Sequence, residues 1–154
     1  MNKAAVPINL AQLNQVGVLC TCFNLRKASR IVTQFFDQEL QPSGLLVTQF
    51  TILVAIAIVG SGTINELAQG LAMDRTTLTR NLKPLEREGF IQIEPGQDQR
   101  TRVVTLTTAG QNTLAKALPL WQQAQACIVE KLGHERWSTL LSHLSATTAL
   151  VSQI

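Results

Sequence analysis

The sequence predicts a mainly α chain with one small β-hairpin. Three observations lead there. Apolar residues recur at helical spacing on both sides of the chain's midpoint, in runs long enough for several turns. Residues that start helices (Thr48, Thr63, Asp74 and Thr107) stand ahead of four of those runs. Only the segment after Gly89 changes period, to the alternating and β-branched pattern of strands.

The first predicted helix covers residues 14 to 41, with Val16, Leu19, Phe23, Phe35, Phe36 and Leu40 as its apolar positions and "PSG" at 42 to 44 as its stop. Thr48 is expected to cap a second helix, apolar almost all round as a central buried helix should be, which ends at "GSG". Thr63-Ile64-Asn65-Glu66 has the spacing of a capping box, in which hydroxyl and carboxylate satisfy reciprocal backbone donors. Ile64, Leu67, Ala68 and Leu71 continue it as a short amphipathic helix. Ala72 occupies the turn that follows, where glycine would accept a left-handed backbone more readily. Asp74 then caps the next helix.

"FIQIEP" and "TRVVTLT" flank the turn-forming "GQDQ" and read as a hairpin. Thr107 caps a helix over 108 to 132, interrupted by Pro119 and ended by Gly133. A last helix carries Trp137, Leu141, Leu144, Thr148 and Val151 at heptad-like spacing.

With 154 residues, the chain is one domain or one domain with an oligomerisation extension. It is 45% hydrophobic and 15% charged, apolar for a monomer of this size, which points to an interface. A net charge of +3 is mild, so an anionic partner must be argued from where the charges sit. "MNKAAVPINLAQLNQ" lacks the apolar centre of a signal peptide, and the longest apolar run, Phe50 to Gly60, is too short to span a bilayer. Three cysteines without a disulfide framework suit a reducing compartment. The expectation is a soluble cytoplasmic protein with no membrane partner.

The helix at "DRTTLTRNLKPLEREG" carries the functional signal. On a helical wheel Leu78, Leu82 and Leu85 form the buried stripe, while Thr76, Arg80, Lys83 and Arg87 cluster within about 60° of arc opposite. Thr79 flanks them, and Arg75 and Thr77 project from the first turn. Glu86 and Glu88 are held to the sides. Arginine bonds guanine bidentately, threonine offers a donor and a methyl, and lysine neutralises phosphate, so this face suits double-stranded DNA. The preceding short helix gives the two-helix geometry that presents a recognition helix to the major groove. Pro84 comes late enough to spare the turns that enter it. The hairpin tip adds Arg100 and Arg102, with Asp98 placed to orient Arg100 toward a narrow minor groove. Helix, turn, helix and basic wing together read as a winged helix-turn-helix.

The run "TINELAQGLAMDRTTLTRNLKPLEREGFIQIEPGQDQRTRVVTLTTAG" resembles the MarR family of winged helix-turn-helix regulators. Its most specific parts are Asp98-x-Arg100 and the "LTTAG" that follows the hairpin; "LQPSGLLVTQFTIL" extends the likeness upstream. The resemblance implies a winged DNA-binding domain over 47–107, with N- and C-terminal dimerisation helices in 1–46 and 108–154. It implies a homodimer on an inverted repeat, acting as a repressor. Arg75, Thr76, Thr77, Thr79 and Arg80 are then the base-reading candidates. Lys83 would touch the DNA backbone, Arg100 the minor groove, and Arg102 is a second wing candidate.

Family members release DNA in response to a small aromatic acid or an oxidant, and the sequence offers residues for each. Cys22-Phe23 partly matches the "LCF" of the family's hydroperoxide sensors, and Arg26 and Arg30 lie one and two turns on, where positive charge favours a thiolate. The absence of tyrosine departs from that branch. Cys20 and Cys22 would point about 200° apart on a continuous helix, so a disulfide between them requires unwinding. Buried packing is the alternative for both, and for Cys127. For an aromatic acid, Arg26 supplies charge and Trp121 a stacking surface.

No other chemistry has support. His134 and His143 lack companions at metal-ligand spacing, and there is no phosphate loop, nucleophile elbow or triad. The chain is expected to be non-enzymatic, without cofactor or metal. A winged helix serving as a protein–protein adaptor is the competing reading; it would present apolar anchors where this helix has Thr76, Arg80 and Lys83.

Overall fold

The computed structural model describes residues 8–151. Contacts divide the chain into two units between Phe35 and Phe36. In the first unit, α1 (Leu10–Leu19) is followed by the start of α2 (Thr21–Leu40). The single helix expected from residue 14 is therefore two. Cys20 breaks it, with an extended backbone (φ −69°, ψ 112°). The Cys20 Sγ accepts from the Phe23 N–H at 3.5 Å, and Asn24 Nδ2 donates to the carbonyls of Val18 and Cys20 at 3.2 and 3.0 Å. Polar side chains in "CTCFN" thus offer the backbone partners that compete with helical continuation. Periodicity hardly changes across a one-residue break, so the sequence pattern hid it.

The second unit holds the core. After the end of α2, a 3₁₀ turn (Gln41–Ser43) closes on Gly44, whose φ is +76°, and leads to α3 (Val47–Val59). Leu46, not Thr48, stands at the cap position of α3, and Thr48 is exposed in the first turn. The free N–H groups are satisfied from elsewhere: Asp37 Oδ1 accepts from Val47 at 2.7 Å and Gln49 Oε1 from Leu46 at 2.9 Å. Nor is α3 buried all round. Phe50, Ile52, Leu53 and Ile56 are inside, but Ile58 is 80% exposed.

The "GSG" stop also begins a strand. β1 (Ser61–Thr63) leads into α4 (Ile64–Gly70), α5 (Arg75–Arg87), β2 (Ile91–Pro95) and β3 (Arg102–Leu106). The predicted hairpin forms, with Ile93 opposite Val104, and β1 adds on its far side, with Gly62 also opposite Val104. The sheet is antiparallel in the order β1-β3-β2. A mainly helical fold with a small β wing is therefore observed, with a third strand that the sequence pattern did not reveal.

Two Schellman closures set the helix ends. At α4, Met73 N–H reaches Ala68 O and Ala72 N–H reaches Gln69 O, with Ala72 at φ +50°. At α5, Phe90 N–H reaches Leu85 O and Gly89 N–H reaches Glu86 O, with Gly89 at φ +73°. Helices α6 (Thr108–Leu132) and α7 (His134–Val151) meet at Gly133. Pro119 lies within α6 without ending it.

The core joins Phe50, Leu53 and Ile56 of α3 to Leu67 of α4, Leu78, Leu82 and Leu85 of α5, Val104 of β3 and Ala117 of α6. No single helix among the described residues is long and apolar enough to cross a membrane.

Candidate nucleic-acid interface

The capped start of α4 anchors one side of the site. Thr63 Oγ1 accepts from Glu66 N–H at 3.2 Å, while Glu66 Oε2 accepts from the Thr63 N–H and hydroxyl at 2.8 and 2.9 Å. Those bonds, the backbone one foremost, hold the Glu66 carboxyl below the usual carboxylate range. Asp74 does the same for α5, accepting from the Thr77 hydroxyl at 2.6 Å and its N–H at 2.9 Å. The two bonds from Thr77, then the Thr76 N–H and the charge of Arg80, lower its pKa.

Leu78, Leu82 and Leu85 are wholly buried on successive turns of α5. Each contributes roughly 1.5–3 kcal/mol by leaving water, so the core fixes the helix's rotation. Arg75, Thr76, Arg80 and Lys83 face solvent as a result. Arg87 is also exposed and forms a 3.5 Å ion pair with Glu88. Thr77 and Thr79 are half-buried. Their hydroxyl hydrogens go to Asp74 and to the Arg75 carbonyl, which leaves each an acceptor lone pair and a methyl to present.

At the wing tip, Asp98 organises backbone. Its Oδ1 accepts from the Arg100 N–H at 2.9 Å, and its carbonyl accepts from the Thr101 N–H and hydroxyl at 2.8 and 2.7 Å. The expected side-chain pairing with Arg100 is replaced by this main-chain contact, while Arg100 and Arg102 both remain exposed. Because Thr63 pairs with Val103 across β1 and β3, the wing root lies beside the start of α4. Arg75, Arg100 and Arg102 therefore line one crevice with Thr63, Asn65 and Thr101. Sequence reasoning named the arginines separately and missed Thr63 and Asn65. The three-residue strand that joins them had no legible pattern.

Residues 43–101 match the MarR family. The transcriptional regulator MosR of M. tuberculosis, solved in complex with DNA, superposes with a TM-score of 0.73 at 36% identity, over 84% of this chain and 98% of MosR. The chain belongs to the MarR family. Two further relatives are an HTH-type regulator of Staphylococcus haemolyticus, SarZ, and the regulator YwoH of Bacillus subtilis. SarZ is 33% identical over 59% of this chain and 63% of its own length; for YwoH the figures are 30%, 54% and 61%. The chain thus spans less than two thirds of either relative. All three are transcriptional regulators.

The residues expected to sense a signal in this MarR-family chain fall in different surroundings. Cys20 is half-buried at the helix break and Cys22 is exposed one residue into α2; both are free thiols. Cys20 has an extended backbone, so the two thiols do not lie on one continuous helix. Arg26 is exposed and lines a shallow recess on α2 with Leu25, Ser29 and Arg30. In the other unit, Trp121 is half-buried and stacked on Phe50, with ring centres 6.1 Å apart. Its outer edge lines an open groove between α6 and α7, opposite Trp137.

Proposed function

We propose that this MarR-family chain is a homodimeric, sequence-specific DNA-binding repressor that reads a pseudo-palindromic operator. The observation that carries the reading is α5: three leucines wholly inside, and Thr76, Arg80 and Lys83 outward with no carboxylate among them. Thr76 and Arg80 read base edges, Lys83 contacts phosphate, and Arg100 enters the minor groove from a tip that Asp98 stiffens. A solved relative at 36% identity, MosR, was crystallised with DNA.

Exposed apolar side chains support dimerisation. In the first unit Leu10, Leu13, Val16, Leu19, Phe23 and Ile31 all face solvent in the single chain. In the second, α7 buries no residue and exposes Leu140, Leu141, Leu144, Leu150 and Val151. Apolar surface on this scale belongs to an interface, here formed by residues 1–46 and 108–154 of two copies around their winged domains, 47–107. Release follows an oxidant at Cys20 and Cys22, or an aromatic acid at Arg26 or Trp121. The helix break favours the thiols. One hydroperoxide takes two electrons from the pair, giving a disulfide, an alcohol and water.

Selection of bound genomic fragments, followed by titration, tests the reading. Half-sites should lie about one helical turn apart. Arg80→Ala should weaken operator binding by about 1–3 kcal/mol and relax one base preference, whereas Lys83→Ala should weaken all sequences alike. Unchanged affinity in both would place the interface elsewhere. A monomer in sedimentation would remove the dimer, and an identical peroxide response in Cys22→Ser would remove the thiol switch.

A further inference from the structure

The crevice between α5 and the wing root points to a contact that α5's sequence does not suggest. Arg75 is the first residue of α5, and a cation there opposes the helix dipole. Arg102 opens β3, on a different element, yet lines the same crevice, with Arg100. No carboxylate lines it, and the nearby ones are engaged: Glu66 with Thr63, Asp74 with Thr77, Asp98 with the Arg100 N–H. None of the three arginines forms an ion pair among the described residues. Three cations are thus gathered around one recess with their charge unmatched.

We propose that this crevice clamps a single DNA phosphate between Arg75 and Arg102, so that Arg75 positions the duplex instead of reading a base. The inference rests on the DNA-binding reading above. The DNA-binding reading sets the source of the phosphate. The crevice has room for a water-sized group, so it admits a phosphoryl oxygen. A diester held in place by the rest of the duplex needs no deeper pocket. Thr63, Asn65 and Thr101 add hydrogen-bonding groups around that oxygen. The clamp also ties the wing root and the recognition helix to the same point of the backbone, which fixes the register of both.

The test is a salt series of duplex binding with wild type, Arg75→Ala, Arg102→Ala and the double variant, on operator and on unrelated DNA. Both substituted positions are exposed, and circular dichroism checks the fold. Each phosphate neutralised contributes about 0.9 to the slope of log affinity against log salt. One shared phosphate predicts that the double variant loses about 0.9 of slope, with operator and unrelated duplexes weakened by the same factor. A methylphosphonate at the contacted position should weaken wild type and leave the double variant unaffected. A loss of about 1.8, meaning two separate phosphates, would overturn the clamp. So would an unchanged slope, or a shifted base preference with Arg75→Ala. Inorganic phosphate, added at constant ionic strength, should compete no better than chloride. Phosphate-specific competition that disappears in the double variant would instead assign the site to the free anion. Wild type that binds no duplex would overturn the DNA-binding reading itself, a result distinct from all of these.

Discussion

Replacing Gly110 with alanine sets two effects of opposite sign against each other. Gly110 is the third residue of α6, and its N–H donates to Thr107 Oγ1 at 3.1 Å. The same threonine donates its hydroxyl to the Gly89 carbonyl at 2.6 Å and its N–H to the Phe90 carbonyl at 3.1 Å. The start of α6 is therefore laced to the chain leaving α5. A Cβ at 110 would overlap the Phe90 carbonyl oxygen and lie 2.9 Å from its carbon, and both atoms are backbone. Helix propensity favours alanine over glycine by about 1 kcal/mol. Overpacking costs about 1–3 kcal/mol, and loosening the Thr107–Phe90 bond adds about 1 kcal/mol. The clash wins, with a net loss of about 1–3 kcal/mol by these increments. Urea unfolding at fixed protein concentration measures it, with Gly70→Ala as the control, since a Cβ at Gly70 meets nothing within 4 Å. The control should gain up to about 1 kcal/mol. If Gly110→Ala gained as well, the close approach of Phe90 would be refuted.

Three other outcomes follow from the same geometry. Ala72→Gly should raise the melting temperature, because a left-handed alanine carries about 1 kcal/mol of strain, only partly offset by glycine's greater freedom when unfolded; a lower midpoint would count against the left-handed turn. Leu82→Ala, at a site with no exposure, should lower unfolding free energy by about 2–5 kcal/mol in urea, and a smaller loss would mean that α5 can shift to fill the space. Glu66 and Asp74 have lowered pKa values, so their contribution is present above the ordinary carboxylate pKa of about 4 and is lost as pH falls through the lower folded values. The urea midpoint should therefore drop on acidification, and Glu66→Gln with Asp74→Asn should flatten that drop.

The elements most legible in the sequence were those whose signals are local. Thr63 with Glu66, Asp74 with Thr77, and Thr107 with Gly110 act within four residues, and each cap forms where the sequence places it. The leucine stripe of α5 was equally readable, and Ala72 was placed at the turn without its handedness being fixed. The misses involve partners distant in sequence or patterns too short to register. The cap of α3 comes from Asp37, ten residues upstream. β1 is three residues long and forms because β3 supplies its partners. Cys20 interrupts a periodic run without altering its period. Within the interface, the arginines were found one at a time, but their convergence depends on β1 pairing with β3.

The α4–α5 corner is held by peptide groups and by leucines that never meet solvent. Met73 and Ala72 close it through the main chain, and Leu78, Leu82 and Leu85 fix its rotation. The letters displayed at positions 76, 80 and 83 lie outside that core, and only the charge of Arg80 reaches back to the Asp74 cap. Such a scaffold tolerates a rewritten vocabulary: descendants, or a protein engineer, can exchange those three side chains one by one without passing through a misfolded intermediate.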